Sequence, residues 1–138
     1  LYAADRAHHV YSLIRPALER GDVVITDRYF DSSIAYQGAG RILSSSEVAR
    51  INRWATESLF PTLTIILDQP AEIGLSRIKK ADRLESESIE FHNRVRQEYL
   101  QLAAMDSERY LVIDAQKPII EIHQEITSRI TALTSKKS

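Results

Sequence analysis

Asp27-Arg28-Tyr29-Phe30-Asp31-Ser32-Ser33-Ile34-Ala35-Tyr36-Gln37-Gly38-Ala39-Gly40-Arg41 is the stretch on which the fold turns. It follows an apolar run, Val23-Val24-Ile25, which predicts a buried strand over Asp22 to Asp27. The run has no polar alternation, so cover on both faces is expected, as in a parallel sheet. A strand that ends in an acid and an arginine delivers both charges to the carboxyl edge of its sheet. In open α/β sheets that edge is where ligands bind. The residues that follow suit a nucleotide: aromatics for stacking, and Ser and Gln for reading a base edge.

Working outward, residues 3 to 20 are predicted as a helix, because Val10, Leu13, Ile14, Ala17 and Leu18 recur at helical spacing. Pro16 inside that pattern is expected to kink or restart it, and Gly21 to end it. On the other side, Gly38 and Gly40 predict a loop. Ser44 and Glu47 have capping-box spacing, ahead of a helix with Val48, Ile51, Ala55 and Leu59 on its buried face. Phe60-Pro61 ends that helix, and Leu63 to Asp68 is a second short strand, again ending in Asp. Pro70 fits the first position of a further helix, with Ala71, Leu75 and Ile78 facing inward.

Residues 87 to 105 are predicted as a long amphipathic helix with Phe91, Val95, Leu102 and Met105 near one face. Tyr110 to Asp114 is the third strand. Ile119, Ile122, Ile126, Ile130 and Leu133 mark a last helix, and Thr134 to Ser138 a frayed tail. Strands alternating with helices indicate a parallel sheet in a layered α/β fold. Three strands are few for that architecture and would leave open edges. The expectation is therefore that these residues are only part of a domain.

Composition narrows the functions. The chain has 138 residues, 43% hydrophobic, with a formal net charge of −1 from 18 basic and 19 acidic side chains. That balance gives no whole-surface attraction to nucleic acid, so phosphate must be met by local arginines. Cysteine is absent, which excludes disulfides and thiolate metal sites and suits a reducing, cytoplasmic setting. No apolar run approaches the ~18 residues of a membrane span. The opening Leu1-Tyr2-Ala3-Ala4-Asp5-Arg6 has charge where a signal peptide is apolar. It also lacks an initiator Met, which predicts residues upstream. His8, His9, His92 and His123 have no ligand-like spacing.

Several side chains carry candidate chemistry, each beside a plainer reading. Asp27 and Arg28 read as a magnesium-facing acid and a phosphate-binding guanidinium; the plainer alternative is an ion pair at a strand end. Arg6 with Arg28 would make a two-arginine cradle for a dianion; alone it would be solvated surface. Tyr2, one helical turn before Arg6, could stack on a base or simply fill core. Gln37 can donate and accept at once, matching a pyrimidine edge. Ser33 lies four residues before it, on the same helical face. Tyr36 could pack against a sugar. The charged run from Arg77 to Glu87 is either a solvated helix end or a lid that brings Arg83 and Arg77 onto transferring phosphates.

Taken together, the pattern closely resembles bacterial thymidylate kinases. The resemblance rests on DRYFDSSIAYQGAGR at 27 to 41, supported by LYAADRAHH at the start, PTLTIILD at 61 to 68 and DRLESE at 82 to 87. It implies a three-layer P-loop kinase-type α/β fold with a parallel sheet, whose N-terminal strands are missing from these residues, and transfer of the γ-phosphoryl group of ATP, with magnesium, to dTMP. By resemblance, Tyr2 matches the aromatic stacked on thymine, and Arg6 and Arg28 the arginines on the dTMP phosphate. Ser33 and Gln37 match the base-edge contacts, Tyr36 the residue beside the deoxyribose, Asp27 the acid near magnesium, and Arg83 the catalytic arginine of the lid. A homodimer in the cytoplasm is also implied. Two departures stand out. No G-x-x-x-x-G-K-[ST] loop occurs, and the four glycines at 21, 38, 40 and 74 cannot make one. The segment between Leu75 and Arg83 is a few residues shorter than the family pattern. A chain beginning at Leu1 is expected to be inactive by itself. The alternatives are a kinase of another nucleotide or nucleoside on the same fold, or a non-catalytic nucleotide-binding relic.

Overall fold

The computed structural model describes residues 2–40, 45–77 and 87–135. The opening helix runs as α1 (Tyr2–His9), a π-helical turn (Val10–Ile14) and α2 (Arg15–Glu19). The wide turn answers the expected kink. Pro16 has no N–H to give the preceding turn, and just before it the Arg15 N–H reaches back five residues to the Val10 carbonyl. Gly21 ends the helix at φ +85°, a left-handed value that costs glycine little. Its N–H donates to the Leu18 carbonyl at 3.0 Å, and that of Asp22 to the Ala17 carbonyl at 3.0 Å, the paired bonds of a Schellman stop.

Residues 22–27 do not form the expected strand. Val23 and Ile25 are 86% and 89% exposed rather than buried. A strand exists only where a neighbour completes its ladder, and among the described residues only β1 (Thr64–Asp68) and β2 (Tyr110–Asp114) pair. These two are parallel, in register from Thr64 opposite Tyr110 to Asp68 opposite Asp114.

The loop expected at Gly38 and Gly40 is also replaced. Phe30–Ala39 is a continuous helix, α3, with Gly38 inside it and Gly40 as its C-cap. α4 is Ser45–Ala55, α5 Ala71–Ser76, α6 Ile89–Met105 and α7 Ile119–Ser135. Ser88 caps α6, its Oγ accepting the Phe91 N–H at 3.3 Å. Ser44 and Ile78 lie outside the described residues.

α3 is the hub. Phe30 and Ile34 pack with Val48 of α4 and Leu102 of α6. Ala35 and Ala39 pack with Val95, Phe91 and Tyr99 of α6. Apolar residues at 34 and 35 are both needed because a helix lies on each side, which widens the buried stripe beyond the usual single face. The alanines let α6 approach closely. Arg94 donates to the Ala39 carbonyl at 3.1 Å, placing a cation at the negative end of α3. The periphery is less well covered: Met105, expected near one face with buried Val95, is 82% exposed, and Ile119 is 86% exposed. α7 continues through Ser135, past the start of the expected tail.

The first turn of α3 is tied to β2 by a buried polar cluster. Asp31 is 3% exposed. Arg109 donates to both its carboxylate oxygens, at 3.2 and 3.3 Å. The Tyr110 hydroxyl donates to it at 2.5 Å and accepts from Arg109 at 2.6 Å. Burial and then the bond to Asp31 hold the Tyr110 phenol well above its ordinary pKa, so it stays a donor. The Arg109 guanidinium lies 4.2 Å from the Tyr110 ring centroid and 5.5 Å from that of Phe30. Removing one member strands the others in low dielectric. Asp31→Ala in the full-length protein is expected to cost about 3–5 kcal/mol of stability in urea melts; a loss below about 1 kcal/mol would show that the cluster does not anchor α3.

Candidate active site

A cavity of ≈ 370 Å³ opens beside the carboxyl end of β1, within the size range of small-molecule sites. Its walls include Arg28, Tyr36 of α3, Asp68 at the end of β1, and His92, Arg96 and Tyr99 of α6. Two buried polar atoms at its wall, Gln69 Oε1 and His92 Nε2, have no hydrogen-bond partner among the described residues. Buried polar groups are normally satisfied, so a polar ligand here would gain contacts.

The two guanidinium groups in this cavity differ. Arg96 is neutralised: its Nε and Nη2 meet the two Asp68 oxygens at 2.7 and 2.8 Å, and these hydrogen bonds hold the Asp68 carboxyl below the usual carboxylate range. Arg28 has a tyrosine instead. It donates to the Tyr36 hydroxyl at 3.4 Å and lies 5.2 Å from that ring. No carboxylate within ion-pair distance of it is found among the described residues. Its backbone is left-handed, φ +63°, a strain of roughly 1–2 kcal/mol for a side chain of this kind. The Thr26 hydroxyl donates to its carbonyl at 3.1 Å. Tyr36 is in turn packed against Phe91, ring centroids 6.2 Å apart. Tyr99 donates its hydroxyl to Ser32 at 2.8 Å, and burial raises its pKa.

Arg6, on α1, meets α3 at a different point. Its guanidinium donates to Ser33 Oγ at 3.0 Å, to the Tyr29 carbonyl at 3.4 Å and to Asn52 Oδ1 of α4. It therefore meets Ser33, expected at the base edge, while Arg28, its expected partner in a phosphate cradle, bonds to Tyr36. Burial lowers its pKa, although a guanidinium remains charged. Gln37 is half-buried one turn beyond Ser33 on α3. The backbone of Tyr2 opens α1, one turn before Arg6. Asp27 is exposed beside Arg28. Arg77 is exposed at the C-cap of α5. Arg83, with most of the expected lid, lies outside the described residues. Reasoning from sequence passed over Asn52, Tyr99 and the Asp68–Arg96 pair. Only Asp68 carried a signal, as an acid ending a strand.

The thymidylate kinase family matches residues 1–126. This chain belongs to the thymidylate kinase family. It is 55% identical over 134 residues to a thymidylate kinase of Leifsonia xyli subsp. xyli, a match covering 94% of this chain and 63% of that one. It is 52% identical over 137 residues to one from Clavibacter michiganensis subsp. michiganensis, covering 96% and 65% respectively. A Cutibacterium acnes relative shares 48% over 136 residues, covering 99% and 67%. The chain thus spans about two thirds of the length of these relatives. Family membership makes the fold that of the P-loop kinases, of which the described residues supply two parallel strands and the helices around them. Among the described residues no helix is long and apolar enough to cross a membrane.

The Asp68–Arg96 pair has a pH signature. A depressed carboxylate contributes stability that is complete above its unfolded pKa of about 4 and is lost as pH falls through the lower native value. The stability gap between wild type and Asp68→Asn should therefore hold steady from about pH 8 to about pH 5 and close in more acidic urea melts. A gap that widened on acidification would contradict the pairing.

Proposed function

We propose that the full-length protein phosphorylates dTMP to dTDP with ATP, in dTTP synthesis. The observation that carries this reading is Arg28: a guanidinium without a carboxylate partner among the described residues, at a cavity beside a strand end, in a chain of the thymidylate kinase family. Arg28 would hold the acceptor phosphate, and Tyr36, joined to it, would lie beside the deoxyribose. Ser33 and Gln37 would face the base edge. The bond from Arg6 to Ser33 supports moving Arg6 from the phosphate to that edge. Tyr2 would stack on the base.

The chemistry asks little of a base. A phosphate monoester has a second pKa of about 6, so its oxygen is already anionic at neutral pH. That oxygen attacks the γ-phosphorus, and the bond to the β–γ bridging oxygen breaks, releasing ADP. The main obstacle is bringing two polyanions together, so positioning and charge neutralisation dominate. Arg28 would supply that on the acceptor, and Arg83 and Arg77 on the transferring phosphates. Magnesium fits the residues present. It keeps several waters and needs only one or two carboxylates beside substrate phosphates, and Asp27 is a single solvated carboxylate beside Arg28. The ion would neutralise phosphate charge; Asp27 would hold its water shell. A cytoplasmic homodimer belongs to this reading; the exposure of Tyr11 on the π-helical turn and Trp54 on α4, 77% and 81%, supports the dimer.

The test is ADP release by the full-length protein with dTMP, dUMP, UMP and CMP offered in turn. Turnover led by dTMP is expected; another leading acceptor, or none, would overturn the reading. Arg28→Ala should lower kcat/KM for dTMP by a factor of about 10²–10³ with the fold intact. Near-normal turnover would remove Arg28 from the acceptor site.

A further inference from the structure

Asn52 of α4 is a buried amide with no part in the reading above, and both its ends are committed. It is 3% exposed. Its Nδ2 donates to the Val48 carbonyl at 2.8 Å, and its Oδ1 accepts from the Arg6 guanidinium. The amide cannot usefully flip. A flip would turn its NH2 on a cation and its oxygen on a carbonyl, two donors and then two acceptors face to face. The helix around it is braced as well, since Thr56, 1% exposed, donates its hydroxyl to the Asn52 carbonyl at 3.0 Å.

Arginine carries about 2 kcal/mol of rotamer entropy, so an arginine on a short helix needs restraint before it can read a ligand. Arg6 is restrained from three sides: Asn52, Ser33 and the Tyr29 carbonyl. The Tyr29 ring lies 5.8 Å from the guanidinium carbon. Of five guanidinium donors, these bonds take three. Among the described residues the others meet no acceptor, which leaves them for a ligand held at Ser33. Of the three restraints, Asn52 alone contributes a buried side chain from a different helix, so it fixes where the fork points relative to α3.

We propose that Asn52 is the positioning residue for Arg6: it holds the guanidinium against Ser33 so that its remaining donors face a carbonyl of the pyrimidine acceptor. This rests on the dTMP kinase reading. Asn52 itself touches no substrate. Its effect is on acceptor affinity and on the choice among pyrimidines.

Steady-state kinetics of the full-length protein with saturating ATP test this, using Asn52→Leu and Asn52→Asp, each alone and combined with Arg6→Ala. Both Asn52 variants lose the bond to Val48; only Asn52→Asp keeps an acceptor for Arg6. Asn52→Leu should raise KM for dTMP about tenfold or more, the scale of a hydrogen bond to a charged group, with KM for ATP unchanged. Asn52→Asp should stay near wild type. In the Arg6→Ala background Asn52→Leu should add almost nothing, as expected for residues acting through one contact. Equal losses in the Leu and Asp variants, an unchanged KM in folded Asn52→Leu, or full additivity with Arg6→Ala would each overturn the proposal. If Asn52→Leu does not fold, Asn52→Ser, too short to reach Arg6, takes its place with the same expectations. A wild type inactive on every pyrimidine monophosphate would sink the functional reading and this proposal with it. An active wild type indifferent to Asn52 would sink this proposal alone.

Discussion

Asp31 is a carboxylate withdrawn from water in the first turn of the central helix, and the fold supplies it with three donors from the start of β2. A buried charge is tolerated only when paired and hydrogen-bonded. The pairing therefore constrains geometry: α3 must begin where Arg109 and Tyr110 end the turn after α6. That fixes α3 between α4 and α6, with Phe30 and Ile34 on one side and Ala35 and Ala39 on the other. Most of the proposed acceptor site hangs from α3 or from the residues leading into it. Arg28 precedes it, Ser33, Tyr36 and Gln37 ride on it, and Arg6 and Tyr99 bond to its serines.

The arginines divide by their partners. Arg109 and Arg96 each face a carboxylate with two nitrogens, so their charge is spent on holding elements together. Arg28 faces a phenol and Arg6 faces amide, hydroxyl and carbonyl oxygens, all neutral. Neutral acceptors orient a guanidinium without cancelling its charge. An incoming anion or carbonyl then meets a preset donor, which is how electrostatic preorganisation works. The left-handed backbone at Arg28 fits the same pattern, since strain of that kind persists where surrounding structure holds it.

The exposed apolar residues follow from the same geometry. Val23 and Ile25 precede Asp27 as a strand-like run, yet lie open to solvent. Their composition suits a covered parallel strand, but composition supplies no ladder. Leu67 and Val112, on the paired strands, are 55% and 42% exposed. The apolar faces of this chain exceed what its described elements cover.

Local periodicity was enough to place the helices other than α3, the two paired strands and their parallel sense, because spacing is set within one segment and helices between two strands form the crossover that makes their pairing parallel. The run from Asp27 to Arg41 also carried the family, through residue types whose chemistry suits phosphate and base. It did not carry the helix across Gly38, because the glycine penalty of about 1 kcal/mol is smaller than the packing of Ala35 and Ala39 on α6. The apolar run before it suggested a strand at 22–27 that does not form, because a strand needs a neighbour. Partners were hidden for a related reason: Asp31 meets Arg109 from 78 residues away, Asp68 meets Arg96 from 28, and Arg6 meets Asn52 from 46. Sequence fixed which side chains could act on a phosphate or a base, since that is a property of each residue. Tertiary structure alone decided which arginines are neutralised and which stay available, because that depends on charges brought together from distant segments.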